Sequence, residues 1–441
     1  MAECLEVIWI YRLLFPFALF VATPAYLRRM RRRGGYAENF GHRFGGGAGS
    51  QRGSGDRKRV WLQAVSVGEM LAIAPLLESL HGDGVEIFLT TTTSTGYQLA
   101  NERYQQFVAE IGYFPLDWQP FSSRVWRRIQ PDLVILTEGE RWPEHMRQAR
   151  ARGVRVISIN ARLSDRSYRR MKWFGPAARL MTGGLDRVLA CSEHDAARFR
   201  ELGVPAEKIL TTGNLKLDVA IPRLDDEAKA ALRRDLGLPA TGRVLLGSST
   251  WPGEEAALIE TWRTARSQGL ATTLLLVPRH AERRDEIERL LVQLGVKYHF
   301  RSRGSAAGEV EVSVGDTTGE LRKFTQLADV VFVGKSLPPH TEGQTPVEAA
   351  SLGRAIIFGP GMGNFRVMAR DLVAADAAVQ VGDVAALTRE ITTLLADDPR
   401  RAKLSANALA WHRANVGALD RTLAVLRAEL SDSGRNQERS R

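Results

Sequence analysis

From Val60 onward, short unbroken apolar runs alternate with stretches in which apolar residues recur at helical spacing. The runs "RVWLQAV", "VEIFLTT", "DLVILT" and "VRVISIN" have few polar interruptions, as expected of strands buried on both faces of a parallel sheet. Between them, segments such as "GEMLAIAPLLESL" and "RWPEHMRQARARG" carry the helical period. After about Pro222 a charged stretch (Leu224 to Arg234) leads into a second series, whose strands are "RVLLGSS", "ATTLLLV", "DVVFVG" and "RAIIFG". The pattern predicts an α/β protein of two doubly wound, Rossmann-like domains facing a cleft. The first occupies residues 60–222 and the second 223–430, with 431–441 a disordered tail.

Before residue 60 the pattern changes. The chain is apolar from Leu5 to Leu27, interrupted by Arg12, and then runs into Arg28, Arg29, Arg31, Arg32 and Arg33. A helix needs about 20 apolar residues to cross a bilayer, so this run spans one only if Arg12 is tolerated or snorkels. A cleaved signal peptide would carry its basic residues ahead of the apolar run. Basic residues after it put the body on the cytoplasmic side of the inner membrane. Residues 1–33 therefore read as a membrane anchor with a basic flank, the alternative being a buried core helix. Residues 34–59, ending in the Gly/Ser-rich 44–59, read as a flexible linker.

Composition adds limits. At 441 residues, 44% apolar and 25% charged, the chain is an ordinary globular protein with room for two or three cores. Two cysteines, Cys4 and Cys191, exclude a disulfide framework, and no Cys/His spacing suggests a metal. The net charge is +11, but eleven Lys/Arg against four acids in residues 1–59 supply +7 of it. Charge so placed suits an anionic membrane surface rather than nucleic acid.

In doubly wound sheets, ligands bind at the carboxyl ends of the strands. In the first half those ends hold Ser66-Val67-Gly68-Glu69, Thr90 to Gly96, Glu138-Gly139-Glu140 and Asn160-Ala161-Arg162. In the second they hold Gly247 to Thr250, Pro278-Arg279-His280, Gly334-Lys335-Ser336 and Gly359-Pro360-Gly361. Carboxylates on one half and hydroxyls, glycines and cations on the other suit an acceptor lobe and a phosphate-bearing donor lobe. Each signal has a plainer alternative. Glu69 is either a base or a first-turn acid suited to the helix dipole. The turn with Ser249 and Thr250 binds phosphate or merely caps a helix. Arg279 clamps a phosphate or pairs with Glu282, and Glu348 meets a ribose or complements a dipole. No Walker A or GxGxxG sequence is present, which excludes the common NTPase and dehydrogenase types.

Taken in order, "AVSVGE", "TTTTSTGYQ", "LTEGERWPE", "INARLSDRS", "TGNLKLD", "GSSTWPGEE", "VPRHAERR", "GDTTGEL", "ADVVFVGKSL" and "EAASLGRAIIFGPGMGNF" resemble the motif set of the 3-deoxy-D-manno-octulosonic acid (Kdo) transferases of lipopolysaccharide assembly. The resemblance runs from the N-terminus to about residue 420. It implies a membrane-associated, inverting GT-B glycosyltransferase that moves Kdo from CMP-Kdo to a lipid A precursor without a cofactor or an obligatory metal. By that resemblance Glu69 is the general base. Ser66, Gly68, Glu138 and Glu140 support the base or bind the acceptor. Ser249, Thr250, Arg279, Gly334, Lys335, Ser336 and Glu348 bind the donor. The chain departs from the family at Lys335, where a glycine is usual, at Glu342-Gly343-Gln344-Thr345, at Trp251 (usually His) and at Glu144 (usually Asn). Lys335 either brings charge to the phosphate or faces solvent. Alternative functions are another GT-B enzyme with a different donor, a nucleotide-sugar epimerase, or a non-catalytic membrane scaffold.

Overall fold

The computed structural model describes residues 2–32, 39–47, 57–139, 141–173, 175–218 and 221–438. They form two compact units, Met1–Val219 with Val416–Arg441, and Ala220–Asn415.

The first unit is built on a seven-stranded parallel sheet. Its strands are β1 (Arg59–Gln63), β2 (Glu86–Thr91), β3 (Glu110–Tyr113), β4 (Leu133–Thr137), β5 (Arg155–Ala161), β6 (Arg187–Ala190) and β7 (Ile209–Thr211), in the order β3-β2-β1-β4-β5-β6-β7. Alternation along β1 sends side chains to opposite faces. Val60 and Leu62 pack with Met70, Ile73 and Leu77 of the helix Val67–Gly82, while Trp61 packs with Phe88, Trp126 and Phe199 on the other side. The order reverses between β1 and β4, so the carboxyl ends of these two neighbours flank the topological switch point.

The second unit repeats the plan with β8 (Arg243–Thr250), β9 (Thr272–Pro278), β10 (Tyr298–Phe300), β11 (Val312–Val314), β12 (Val330–Val333), β13 (Ala355–Phe358) and β14 (Ala378–Gln380). Their order is β10-β11-β9-β8-β12-β13-β14, again all parallel. Here the reversal falls between β8 and β12. Leu245 and Leu274 face one core, Val244 and Leu246 the other.

Three expectations about the chain's outer segments change. The second unit stops at Asn415, and the helix Ala418–Glu438 returns to the first. There Leu423, Leu426 and Leu430 join the core with Val60 and Leu62. Arg155 and Arg187 pair with its Glu429 at 2.5 and 2.8 Å. That helix continues through 431–438, where a disordered tail is expected; residues 439–441 lie outside the described residues. Within the expected linker, Phe40–Phe44 is a 3₁₀ turn fixed by the buried Arg43, which donates to the Phe114 and Thr92 carbonyls. Residues 48–56 of the linker are outside the described residues.

The apolar N-terminal run forms the helix Ala2–Arg32. Among the described residues, no helix is long and apolar enough to cross a membrane. Arg12 neither sits in an apolar environment nor snorkels away from one. Its guanidinium makes two bonds, of 2.9 and 3.1 Å, to the fully buried carboxylate of Glu144.

Candidate active site

The first half of the site grows from a helix start. Ser66 caps the helix Val67–Gly82, and Ser-Val-Gly-Glu is the S-x-x-E pattern of a capping box. The Ser66 hydroxyl accepts the Glu69 N–H at 3.4 Å. In the usual box the Glu carboxylate would return to the N-cap N–H; here it reaches one residue further. Glu69 Oε2 accepts the Val65 N–H at 2.9 Å and the Thr137 hydroxyl at 2.6 Å, which ties the end of β1 to the end of β4 across the switch point. Among the described residues Oε1 accepts only a 3.2 Å bond from Ser66 and keeps lone-pair capacity. Burial, then the charge of Glu138, raise the Glu69 pKa above the ordinary carboxylate value; Thr137, Val65 and Lys216 oppose them. A Cβ added to Gly68 would meet nothing closer than Ser66 Oγ at 4.0 Å, so space is open at Gly68 itself.

Glu138 is the electrostatic opposite. Burial pushes its pKa up, but Arg162 and Lys216 outweigh burial and hold it below the ordinary range. Lys216 Nζ lies 2.5 Å and Arg162 Nη2 2.7 Å from its oxygens. Its backbone sits at φ 47°, in the left-handed region that costs a non-glycine residue about 1–2 kcal/mol. Asn160 (48°), Ser249 (54°) and Lys335 (56°) share this strain, all at strand ends. Backbone strain of this kind concentrates where function holds it. Glu140 lies outside the described residues. Arg162 stands among the strand-end residues of the sequence without a role assigned to it, and Thr137 and Lys216 occur there only within longer motifs. Arg162 follows an apolar strand directly, a signal that was available; Lys216, in the turn Leu215–Leu217, carried none.

In the second unit β8 and β12 end beside each other. A Cβ on Gly334 would lie 2.4 Å from the Ser249 carbonyl, so only glycine permits this approach. The feature missed from sequence is Glu254, first residue of the helix Glu254–Ser267 and 1% exposed. Its carboxylate accepts four backbone N–H groups: Trp251 (2.9 Å), Lys335 (2.8 Å), Ser336 (2.9 Å) and Leu337 (3.1 Å). Burial still raises its pKa despite those bonds.

The N–H groups of Lys335 and Ser336 are thereby committed to Glu254. The Ser336 hydroxyl, fully buried, donates to Val333 O at 2.5 Å and accepts Gly359 N–H at 2.9 Å. Ser336 thus shapes the loop through bonds within its own unit. Lys335 does not face open solvent. Its ammonium lies 4.1 Å from the Trp251 ring centroid and 3.3 Å from Glu342. Trp251 also meets His280 and His340 edge-on, at 5.2 and 5.8 Å.

Other groups of this unit keep free capacity. Thr250 Oγ1, Trp251 Nε1 and Glu348 Oε2 are buried without a hydrogen-bond partner among the described residues. Arg279 is exposed at the end of β9, and Glu282 faces His280 (3.4 Å) instead. Burial raises the pKa of Glu348, which opens the helix Val347–Ser351; Arg322, 3.8 Å away, only partly compensates. Among the described residues no three His, Cys, Asp or Glu side chains gather as a metal site requires.

A family profile described as 3-Deoxy-D-manno-octulosonic-acid transferase (kdotransferase) matches residues 37–219. The chain is 38% identical over 413 residues to a 3-deoxy-D-manno-octulosonic acid transferase of Bordetella pertussis, covering 90% of this chain and 94% of that one. Among solved structures it is similar to a glycosyltransferase from Rickettsia africae (12% identity, TM-score 0.59, 85% of this chain and 99% of the other). It is also similar to UDP-GlcNAc 2-epimerase from Neisseria meningitidis (14%, TM-score 0.57, 83% and 99%). At such identities these structures speak for a shared GT-B-like glycosyltransferase fold, and the reaction must be argued from residues.

Proposed function

Because the chain belongs to the 3-deoxy-D-manno-octulosonic acid (Kdo) transferase family, we propose that it moves Kdo from CMP-Kdo to a hydroxyl of a lipid A precursor, with inversion and with Glu69 as general base. The observation that carries this is the opposed pair at the β1/β4 switch point: Glu69 with its pKa raised, Glu138 with its pKa lowered. Environments that split two carboxylates in this way assign their roles. The raised one is the stronger proton acceptor of the two, and the lowered one stays charged and orients.

Glu69 Oε1 removes the acceptor hydroxyl proton as that oxygen bonds to the anomeric carbon of Kdo. The bond from this carbon to the CMP phosphate breaks, and its electron pair leaves with the phosphate. Attack opposite the leaving group inverts the centre. Thr137, Val65 and Ser66 hold the base in place, and the space beside Gly68 admits the acceptor. Arg162 and Lys216 keep Glu138 ionised. On the donor side Arg279 meets the phosphate, the Thr250 hydroxyl and Trp251 N–H supply further hydrogen bonds, and Glu348 accepts from the ribose. Ser249, Gly334 and Lys335 shape that pocket with Ser336. The N-terminal segment attaches the protein to the cytoplasmic face of the inner membrane, where a lipid acceptor resides.

Incubating the purified protein with CMP-Kdo and a lipid A precursor, followed by mass analysis, should yield acceptor carrying added Kdo together with free CMP. Acceptor left unmodified by CMP-Kdo, but glycosylated from another nucleotide sugar, would redirect the assignment of donor.

A further inference from the structure

The N-terminal helix carries two apolar faces with different fates. Ile8 is buried and Tyr11 and Arg12 are half-buried against the first unit, where the helix packs on Gly175–Thr182. The Tyr11 hydroxyl donates to Asp117 at 2.7 Å, and Asp117 also accepts the Glu144 and His145 N–H groups that open the helix Pro143–Ala151. Burial works to neutralise Glu144, but bonds from Arg12, Arg147 and Gln148 outweigh it and hold the carboxylate below its ordinary range. The other face is a stripe at helical spacing: Trp9, Leu13, Leu14, Phe17, Phe20 and Val21 are 57–82% exposed. Contiguous apolar surface of this kind marks an interaction site.

We propose that this helix lies in the plane of an anionic bilayer, with its stripe among the lipids, and that the Arg12–Glu144 and Tyr11–Asp117 contacts latch it to the catalytic unit at a fixed height. This rests on the membrane attachment proposed above and specifies its geometry. An in-plane seat follows because the helix is not apolar enough to cross, and because Arg12 is already neutralised by the protein. The occupant is anionic lipid because basic residues follow the stripe along the chain and are exposed on a helix beside the one it packs on. Arg28 to Arg33 follow it in sequence, and the helix Asp165–Trp173, next to Gly175–Thr182, exposes Arg166, Arg169 and Arg170 and an 81% exposed Trp173. The latch bears on chemistry through a short span of chain. Glu144 lies in the first turn of the helix that follows the Glu138 loop, and Arg141 Nη1 donates to the Glu138 carbonyl at 2.7 Å. Arg12 and Glu144 are positioning residues.

The test uses the full chain, vesicles of phosphatidylethanolamine and phosphatidylglycerol, and two acceptors, one embedded in the vesicles and one deacylated and water-soluble. The unaltered protein should float with the vesicles. Leu13→Asp/Phe17→Asp, at exposed positions, should abolish flotation while keeping turnover on the soluble acceptor. Arg12→Ala should still float, yet lose on the order of tenfold to a hundredfold in turnover on the embedded acceptor alone, the scale expected of misplacing reactants by about 1 Å. Arg12→Lys should recover part of that loss. If Arg12→Ala floats and turns over both acceptors alike, the latch is wrong although the attachment stands. Failure of the unaltered protein to float overturns the attachment itself. Vesicle-independent dimers that Leu13→Asp/Phe17→Asp dissolves would assign the stripe to a second copy and overturn the bilayer as occupant.

Discussion

Glu138 in the first unit and Glu254 in the second are both buried acids beside a switch point, and each is compensated differently. Glu138 meets two cations, Arg162 and Lys216, and its pKa falls. Glu254 meets four backbone N–H groups and no cation among its bonds, and its pKa still rises. At Glu254 the peptide dipoles fix the carboxylate in space without outweighing burial, whereas at Glu138 two full charges do outweigh it. The first arrangement leaves a charged centre beside a raised base. The second makes a brace that joins the β8 turn to the β12 loop, around which Thr250, Trp251 and Glu348 retain free capacity. In the proposed function the first is the reacting environment and the second the binding frame.

That division can be broken most severely at Glu69. Glu69→Gln should lower kcat by about 10²–10⁴-fold, the usual contribution of a positioned base, with CMP affinity by calorimetry unchanged. Near-normal turnover would remove Glu69 as the base. Arg279→Ala tests the other frame. CMP should bind roughly ten- to a hundredfold more weakly, as for loss of a charge-assisted hydrogen bond, and equal affinity would exclude Arg279 from the phosphate.

Lys216→Met should push Glu138 toward the condition of Glu254. Lys216 favours the charged forms of both Glu138 and Glu69. Activity requires ionised Glu69, so the acid limb of kcat/KM should move to higher pH in the variant; an unmoved limb would contradict the coupling. The stability that Glu138 gains from its depressed pKa is present above its unfolded value and lost as pH falls through the folded one. The variant's deficit in chemical denaturation should therefore be largest at neutral pH and shrink in acid. The smallest effect concerns Lys335 at φ 56°. Lys335→Gly and Lys335→Ala both lose the Trp251 and Glu342 contacts, but only glycine relieves the backbone. Glycine should be the more stable by about 1 kcal/mol, and equal melting temperatures would show that the loop carries no strain there.

The eight long apolar runs were legible because a strand buried on both faces has no polar face to confuse the pattern. The remaining strands are three or four residues long, and β10, β11 and β14 are too short for a period to register. Glu69 was visible as a carboxylate standing between an apolar strand and a helical run. Its setting was not, since Thr137 and Glu138 come from 68 and 69 residues further on, and Lys216 from 78 residues beyond Glu138. Glu254 drew no reading of its own from the sequence, because three of its partners lie 81 to 83 residues away. Arg12 looked like a flaw in an anchor, because nothing local announces a partner 132 residues distant. Sequence pattern registers neighbours along a strand or a helix, and these contacts are made only by the fold.

The return of Ala418–Glu438 to the first unit has a consequence for the order of assembly. A ribosome delivers the whole of Ala220–Asn415 before it delivers Leu423, Leu426 and Leu430, which complete the core around Val60 and Leu62. Domains tend to fold as units during synthesis, so the half that holds Glu254 is free to mature while the half that holds Glu69 and Glu138 still lacks part of its interior. A stop codon after residue 415 would spare every residue of the second unit, yet its damage would fall on the first.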